Sequence, residues 1–153
     1  MQITLIYPHQ LFADHPALDQ ARPVVLIEDP LLFGTDPVWP IQVHWQRLLL
    51  HRASITAYAA SLREQGFQVL QQRHNAALDT AAHLQLLFDQ GYRSFHLADP
   101  VDHQIEQRLR AFGKRNGCQV QIVPTPMLLT PVAVADDHFG TSKKPFMARF
   151  YEM

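Results

Sequence analysis

The chain has 153 residues, of which 47% are hydrophobic and 18% charged, a composition typical of one globular domain and untypical of a disordered segment. The formal net charge of -1 provides no bulk positive field for nucleic acid, and the single cysteine, Cys118, excludes a disulfide framework and a cysteine-built zinc or iron–sulfur site within the chain. No apolar run reaches membrane length and the N-terminus has no secretion signal, so we expect a cytoplasmic protein without membrane contact.

Five short apolar runs predict strands, and three longer periodic segments predict helices. The strands are predicted over residues 3–7, 24–27, 67–70, 94–98 and 118–123, and the helices over residues 41–65, 78–90 and 101–116. A glycine follows each helix, where it favours the helix end. This order predicts an α/β fold, with a Rossmann-like three-layer α/β/α arrangement around a five-stranded, mostly parallel sheet of strand order 3-2-1-4-5.

The helix over residues 41–65 has the strongest pattern in the chain. Its apolar positions recur at alternating spacings of four and three residues, which places them on one stripe that is expected to face the core. The stripe consists of Ile41, Trp45, Leu48, Arg52, Ile55, Ala59 and Leu62. Pro40 suits the first turn of this helix, and we expect Arg52 to form an ion pair with Glu28 or Asp29.

The character of the sequence changes after Pro124, where prolines and threonines bracket a short apolar stretch. We therefore predict a Rossmann-like domain over residues 1–124. Residues 125–153 are predicted as a linker and the start of a C-terminal helical domain that the chain lacks, with an aromatic helical start over residues 146–153.

Polar side chains follow several predicted strands at the point where each strand ends. Because the carboxyl ends of parallel strands meet at one edge of a sheet, residues 8–10, 28–29 and 99–103 should lie close together. The start of the long helix adds further polar groups on one stripe with His51. The candidate binding residues at this edge are His9, Gln10, Glu28, Asp29, His44 and Arg47.

A flat polar heterocycle would suit such a crevice, because aromatic rings stack on it while amides and carboxylates satisfy its ring nitrogens and carbonyls. The aromatic candidates are Phe33, Trp39 and Trp45. No GxGxxG, P-loop or GxSxG motif is present, and the sequence predicts neither a metal site nor a catalytic residue. A small α/β enzyme with His9 or His44 as general base is an alternative that lacks an evident nucleophile.

Structural roles are the competing interpretation of the same residues. Glu28 and Asp29 together can be a helix-cap or turn pair, and His44 and His51 can be structural histidines with satisfied hydrogen bonds. Surface and loop polarity is the expected role of four of the nine histidines, His74, His83, His103 and His138.

Five ordered segments resemble the N-terminal part of the deoxyribodipyrimidine photolyase-related family, the bacterial cryptochromes and six-four photolyases that carry an iron–sulfur cluster. The segments are residues 7–12 (YPHQLF), 28–30 (EDP), 44–54 (HWQRLLLHRAS), 126–131 (PMLLTP) and 144–151 (KPFMARFY). Each is short, but together they run in matching order over essentially the whole chain.

The resemblance implies an antenna domain that holds a ribityllumazine pigment at the sheet edge, with His9, Gln10, Glu28 and His44 at the corresponding positions. It also implies a C-terminal helical domain as partner, which would bind FAD, a 4Fe-4S cluster and DNA. Two departures concern the site. Residues 8–11 read PHQL where many members have Gly-Asp-Gln-Leu, which removes an acidic group, and residues 43–47 read VHWQR where many have His-His-Lys-x-Lys.

The leading hypothesis is therefore the antenna-chromophore-binding domain of a photolyase- or cryptochrome-like flavoprotein, which would not repair DNA alone. The complete flavoprotein would serve light-dependent DNA repair or photoreception. The alternatives are a structural or docking α/β domain with an empty pocket and a small protein that binds a nucleotide-like ligand.

Overall fold

A computed structural model describes residues 1–140 and contains five strands and five helices in that range. The strands are β1 (Gln2–Ile6), β2 (Val24–Ile27), β3 (Val69–Gln72), β4 (Ser94–Ala98) and β5 (Gln119–Val123). The helices are α1 (Pro30–Phe33), α2 (Trp45–Glu64), α3 (Thr80–Asp89), α4 (His103–Asn116) and α5 (Val132–Phe139). The strands form one sheet in the order β3-β2-β1-β4-β5, and every neighbouring pair is parallel. The predicted Rossmann-like α/β fold and its strand order are confirmed.

Both faces of the sheet are covered, which accounts for the nearly continuous apolar sequence of its central strands. One face packs against α3 and α4, and its buried core includes Leu5, Phe95 and Leu109. The other face packs against the second half of α2, where Ile55, Ala59 and Leu62 meet the side chains of β1 and β2. The carboxyl ends of β1, β2, β3 and β4 consequently lie along one edge, with the start of α2 above it.

The start of α2 differs from the prediction, because the helix begins at Trp45 and not at residue 41. His44 is the N-cap, and its Nδ1 accepts a hydrogen bond from the backbone N–H of Gln46 at 3.3 Å. The preceding segment passes very close to Gly34, where an added Cβ would collide with the carbonyl oxygen of Ile41. This close packing against the end of α1 holds residues 41–43 outside the helix.

The first half of α2 also differs from the predicted buried stripe. Ile55, Ala59 and Leu62 are buried. Trp45, at the N-terminal end of the helix, is 63% exposed and does not reach the core. The physical reason is length: 20 residues of helix extend about 30 Å, whereas a strand of five residues spans only about 17 Å. The first turns of α2 therefore project beyond the edge of the sheet.

Smaller differences concern element ends and two short helices that the sequence does not predict. The strands and helices begin or end within a few residues of the predicted positions. The sequence predicts a loop where α1 forms, and the predicted linker contains α5. The surface role predicted for His83 is wrong, because this residue is buried on α3 with its Nδ1 at 3.1 Å from Oε1 of Gln72. The predicted helical start over residues 146–153 lies outside the described residues.

Within residues 1–140, no helix combines the length and the apolar character that crossing a bilayer requires.

Candidate functional site

Two open grooves flank α2 near the carboxyl-end edge of the sheet. The β1–α2 groove has a volume of about 690 Å³, and the loop after β1 and one side of α2, with both apolar and polar side chains, line it. Its lining residues are Pro8, His9, Leu11, Phe12, Leu50, His51, Ser54, Ala57, Tyr58 and Ser61. The α1–α2 groove has a volume of about 310 Å³ and is lined by Phe33, Thr35, Leu48, Leu49, Arg52 and His74.

His9 lies in the wall of the β1–α2 groove, held by the turn after β4. Its Nε2 lies 2.8 Å from the carbonyl oxygen of Pro100. Because a carbonyl can only accept, Nε2 carries the proton, and in the neutral ring Nδ1 is an acceptor. That Nδ1 is buried and makes no hydrogen bond among the described residues. Burial lowers the pKa of His9, against the raising effects of the Pro100 bond and of Asp102.

Gln10 is fully buried and its side-chain amide joins the ends of two strands. Its Nε2 donates to the carbonyl oxygens of Ala98 at 3.0 Å and Asp99 at 3.1 Å. Its Oε1 accepts from the backbone N–H of Tyr7 at 3.4 Å. Both amide donors are thus engaged in fixing the loop after β1 to the end of β4.

Glu28 forms an ion pair with Arg52, for which the sequence predicts either Glu28 or Asp29 as partner. Its two carboxylate oxygens accept from Nε and Nη2 of Arg52 at 3.1 and 2.8 Å, and Oε2 also accepts from the backbone N–H of His74 at 2.8 Å. Burial acts to raise the pKa of Glu28, but these hydrogen bonds outweigh it and hold the pKa below its usual range. Glu28 therefore ties β2, α2 and the loop after β3 together.

Asp29 is the N-cap of α1, so the cap-or-turn interpretation describes its position in the chain. Its Oδ1 accepts from the backbone N–H of Leu31 at 3.0 Å and from the hydroxyl of Thr80 at 3.1 Å. Its Oδ2 is buried and makes no hydrogen bond among the described residues. Burial raises the pKa of Asp29 to about 6, although its hydrogen bonds oppose the shift.

An ion pair that the sequence does not suggest is linked to Asp29 through the hydroxyl of Thr80. Arg108 of α4 bonds both carboxylate oxygens of Asp36, with Nη2 at 2.9 Å from Oδ1, and its Nη1 also donates to Thr80. Asp36 further accepts the backbone N–H groups of Val38 and Trp39. Hydrogen bonds from Arg108 lower the pKa of Asp36 to about 2 against the opposing effect of burial.

His44 and Arg47 lie on the projecting start of α2. Nε of Arg47 donates to Nε2 of His51 at 3.2 Å, so the proton of the neutral His51 ring is on Nδ1. Burial, with contributions from Arg47 and His9, lowers the pKa of His51. Of these side chains only His51 lines the β1–α2 groove, and Arg47 lies one helical turn before it on the same side of α2.

Phe33 is the aromatic centre of the α1–α2 groove. The ring of His74 stacks on it with centroids 5.2 Å apart, and the ring of His51 lies 6.0 Å away on the side of the other groove. Trp39 and Trp45, the other predicted aromatics, are more than half exposed and line neither groove. Phe33 and His51 thus connect the two grooves.

The polar groups of this edge fall into two sets. The carboxylates accept hydrogen bonds from arginine side chains or backbone N–H groups, whereas imidazoles, hydroxyls and aromatic rings line the open space. In residues 1–140, no group of three or more His, Cys, Asp or Glu residues is arranged to hold a metal ion.

Some of the lining residues could have been found in the sequence. Ser54, Tyr58 and Ser61 continue the spacing of Arg47 and His51 along one side of α2, a pattern that the sequence contains. His74 follows β3, and the predicted strand order places it beside the residues after β2. The pair of Asp36 and Arg108 spans 72 positions and has no local signal.

The fold and the edge grooves define the class of the protein, a Rossmann-like α/β/α domain with its open concavities at the carboxyl ends of the strands. Residues 4–153 match the family described as deoxyribodipyrimidine photo-lyase-related protein, and the chain belongs to that family. A comparison with curated protein sequences found no match.

Proposed function

We propose that this chain is the antenna-chromophore-binding domain of a photolyase-like flavoprotein, and that it holds a pigment in the β1–α2 groove without catalysing a reaction itself. The observation that carries the proposal is the groove of about 690 Å³ at the strand ends, a size and a position common among small-molecule sites. Membership of the photolyase-related family supports a role in light-driven chemistry.

A ribityllumazine is the pigment we propose, and the groove residues suit its two parts. The rings of Phe12 and His9 and the side chain of Leu11 offer flat and apolar contacts for the heterocycle. The hydroxyls of Ser54 and Ser61 can bond the hydroxyls of the ribityl chain. The bound pigment would absorb light and pass excitation on, so the tasks of this chain are to orient the pigment and shield it from water.

The partner in this proposal is a helical domain that binds FAD and a 4Fe-4S cluster and makes the DNA contacts. The single cysteine of this chain requires that the cluster be held elsewhere. Light-dependent DNA repair or photoreception would then be the activity of the assembled flavoprotein, in the cytoplasm.

Titration of the chain with ribityllumazine, followed by absorbance and fluorescence anisotropy, tests the proposal. We expect saturable binding that weakens by about tenfold or more in Ser54→Trp, because the indole fills the groove. Thr56→Trp, which adds the same ring at an exposed position on the other side of α2, should bind as the wild type does. Absence of binding in the wild type, or equal binding by both variants, contradicts the proposal.

A structural domain with an empty pocket is the second candidate, and a specific observation favours it. Gln10, Glu28 and Asp29 use most of their polar atoms in bonds that hold the fold together. If the same titration gives no binding and native mass spectrometry of the chain purified from cells detects no small molecule, this second function is the better account.

A further inference from the structure

The open part of the candidate site is electrostatically one-sided. The carboxylates at the strand ends already accept hydrogen bonds, whether from arginine or from backbone N–H groups. The unengaged polar atoms around the β1–α2 groove belong instead to arginine, imidazole and hydroxyl groups. From residue 37 to residue 63 the sequence contains no Asp or Glu, while it contains three arginines and two histidines.

Arg47 is placed to act on a groove ligand. The groove-lining residues of α2 include Leu50, His51, Ser54 and Tyr58, which follow Arg47 at spacings of 3, 4, 7 and 11 residues and so share its side of the helix. Arg47 is exposed, and among residues 1–140 its side chain makes one hydrogen bond, from Nε to His51. Its two Nη groups thus make no hydrogen bond within that range, and they belong to a residue one helical turn before the first groove-lining residues of α2.

We propose that the β1–α2 groove binds a heteroaromatic ligand that carries a phosphate group, with the phosphate against Arg47 and His51. The inference rests on the proposed function in that both need a flat ring in this groove, and it adds the chemical class of the ligand. A guanidinium presents paired N–H donors that match a phosphate, and such charge-assisted bonds are stronger than neutral ones. No carboxylate in the groove lining opposes the phosphate charge.

The histidines of the groove couple this binding to pH. His9 and His51 both have lowered pKa values in the free protein, with burial as the main cause. The groups that face them are Arg47 on α2, the Pro100 carbonyl and Asp102 at the start of α4. The ring of Tyr7 also stacks on His9, and the two histidines act on each other, since His9 contributes to the lowered pKa of His51. A phosphate dianion in the groove favours the protonated imidazoles, so binding should take up protons and tighten as the pH falls toward about 6.

The experiment compares riboflavin with riboflavin 5′-phosphate, which share one ring and differ by the phosphate. Quenching of flavin fluorescence by the full chain gives both dissociation constants. We expect the phosphorylated flavin to bind about tenfold or more tighter, and we expect Arg47→Gln or about 0.5 M salt to remove that preference. Arg63→Gln is the matched control, because Arg63 lies on the opposite side of α2 and donates to the Val69 carbonyl.

Three results would overturn the inference. If both flavins bind equally, the phosphate has no site, and ribityllumazine binding measured in parallel decides whether the proposed function still stands. If neither flavin binds while ribityllumazine does, the ligand class is wrong although the antenna role survives. If no heterocycle binds at all, both the inference and the proposed function fail.

Discussion

Two halves of the same sheet edge use polar residues in opposite ways. Around the end of β2, Glu28, Asp29 and Asp36 lie almost completely buried and bond arginines, a threonine and backbone N–H groups of neighbouring elements. Around the β1–α2 groove, Arg47 is exposed and His51 half-buried, and they share one hydrogen bond. His9 resembles Asp29 instead, because its unbonded Nδ1 is buried as Oδ2 of Asp29 is. Position at a strand end therefore does not identify a ligand residue, because the hydrogen bonds already made decide which side chains remain available.

The largest effect on the bonded half is expected from Arg108→Met. Methionine keeps much of the volume but leaves the buried carboxylate of Asp36 without its cation, and breaking one side of a buried ion pair costs about 3–5 kcal/mol. Urea unfolding monitored by circular dichroism should show a loss of about 3 kcal/mol in the free energy of unfolding at about pH 7.

Arg110→Met is the control for this loss, since Arg110 lies on the same helix and pairs with Glu106 on the surface. An exposed pair of this kind contributes at most about 0.5 kcal/mol. Equal losses in the two variants would show that Asp36 tolerates an unpaired charge, and the view of this half as a structural network would be wrong.

The next largest effect is a pH dependence produced by Asp29. Its pKa is raised in the folded state to about 6, so its contribution to stability is complete below the unfolded pKa of about 3.9 and is lost as the pH rises through about 6. The substitution Asp29→Asn keeps a side-chain oxygen for Leu31 and Thr80 without the charge. The variant should therefore gain about 2 kcal/mol relative to wild type between about pH 4 and pH 7.

Thermal or urea unfolding of both proteins across that pH range measures the difference. Using the difference removes the opposite slopes contributed by Glu28 and Asp36, whose pKa values are lowered. A difference that stays constant from about pH 4 to pH 7 would mean that the carboxyl of Asp29 is solvated in the folded state.

A smaller effect is expected from Glu28→Gln. The amide cannot accept both arginine nitrogens and the His74 N–H as a carboxylate does, but Arg52 is about half exposed, so water replaces part of the lost interaction. We expect a loss of about 1 kcal/mol at about pH 7 that shrinks as the pH falls below the unfolded value near 4.3. Ribityllumazine affinity should change little, because Glu28 lines neither groove. A large loss of affinity with unchanged stability would show that Glu28 binds the ligand and does not stabilise the fold.

The sequence predicts the sheet and its strand order because buried parallel strands and glycine-terminated helices leave strong local patterns. It also predicts that Arg52 pairs with Glu28 or Asp29, since a charge on an apolar stripe needs a partner, and the structure shows that the partner is Glu28. The sequence could not show that the first turns of α2 extend beyond the sheet. An apolar stripe on a helix has the same periodicity whether or not it packs against a core. Nor could the sequence show that Gln10 has a structural role whereas His9 lines the groove. That difference depends on hydrogen bonds to backbone carbonyls that are distant in the sequence.

The smallest effects on stability are expected in the open half, and they test whether that half has a role in folding. Arg47→Gln and His51→Gln remove one exposed hydrogen bond between them, so each should change the free energy of unfolding by less than about 0.5 kcal/mol. Urea unfolding beside Arg108→Met measures this on one scale. Changes near zero in the free energy of unfolding would show that Arg47 and His51 are not needed for folding, as expected of residues that bind a ligand. A loss of about 2 kcal/mol or more in either variant would instead make Arg47 and His51 part of the structural network, and the contrast between the two halves would no longer hold.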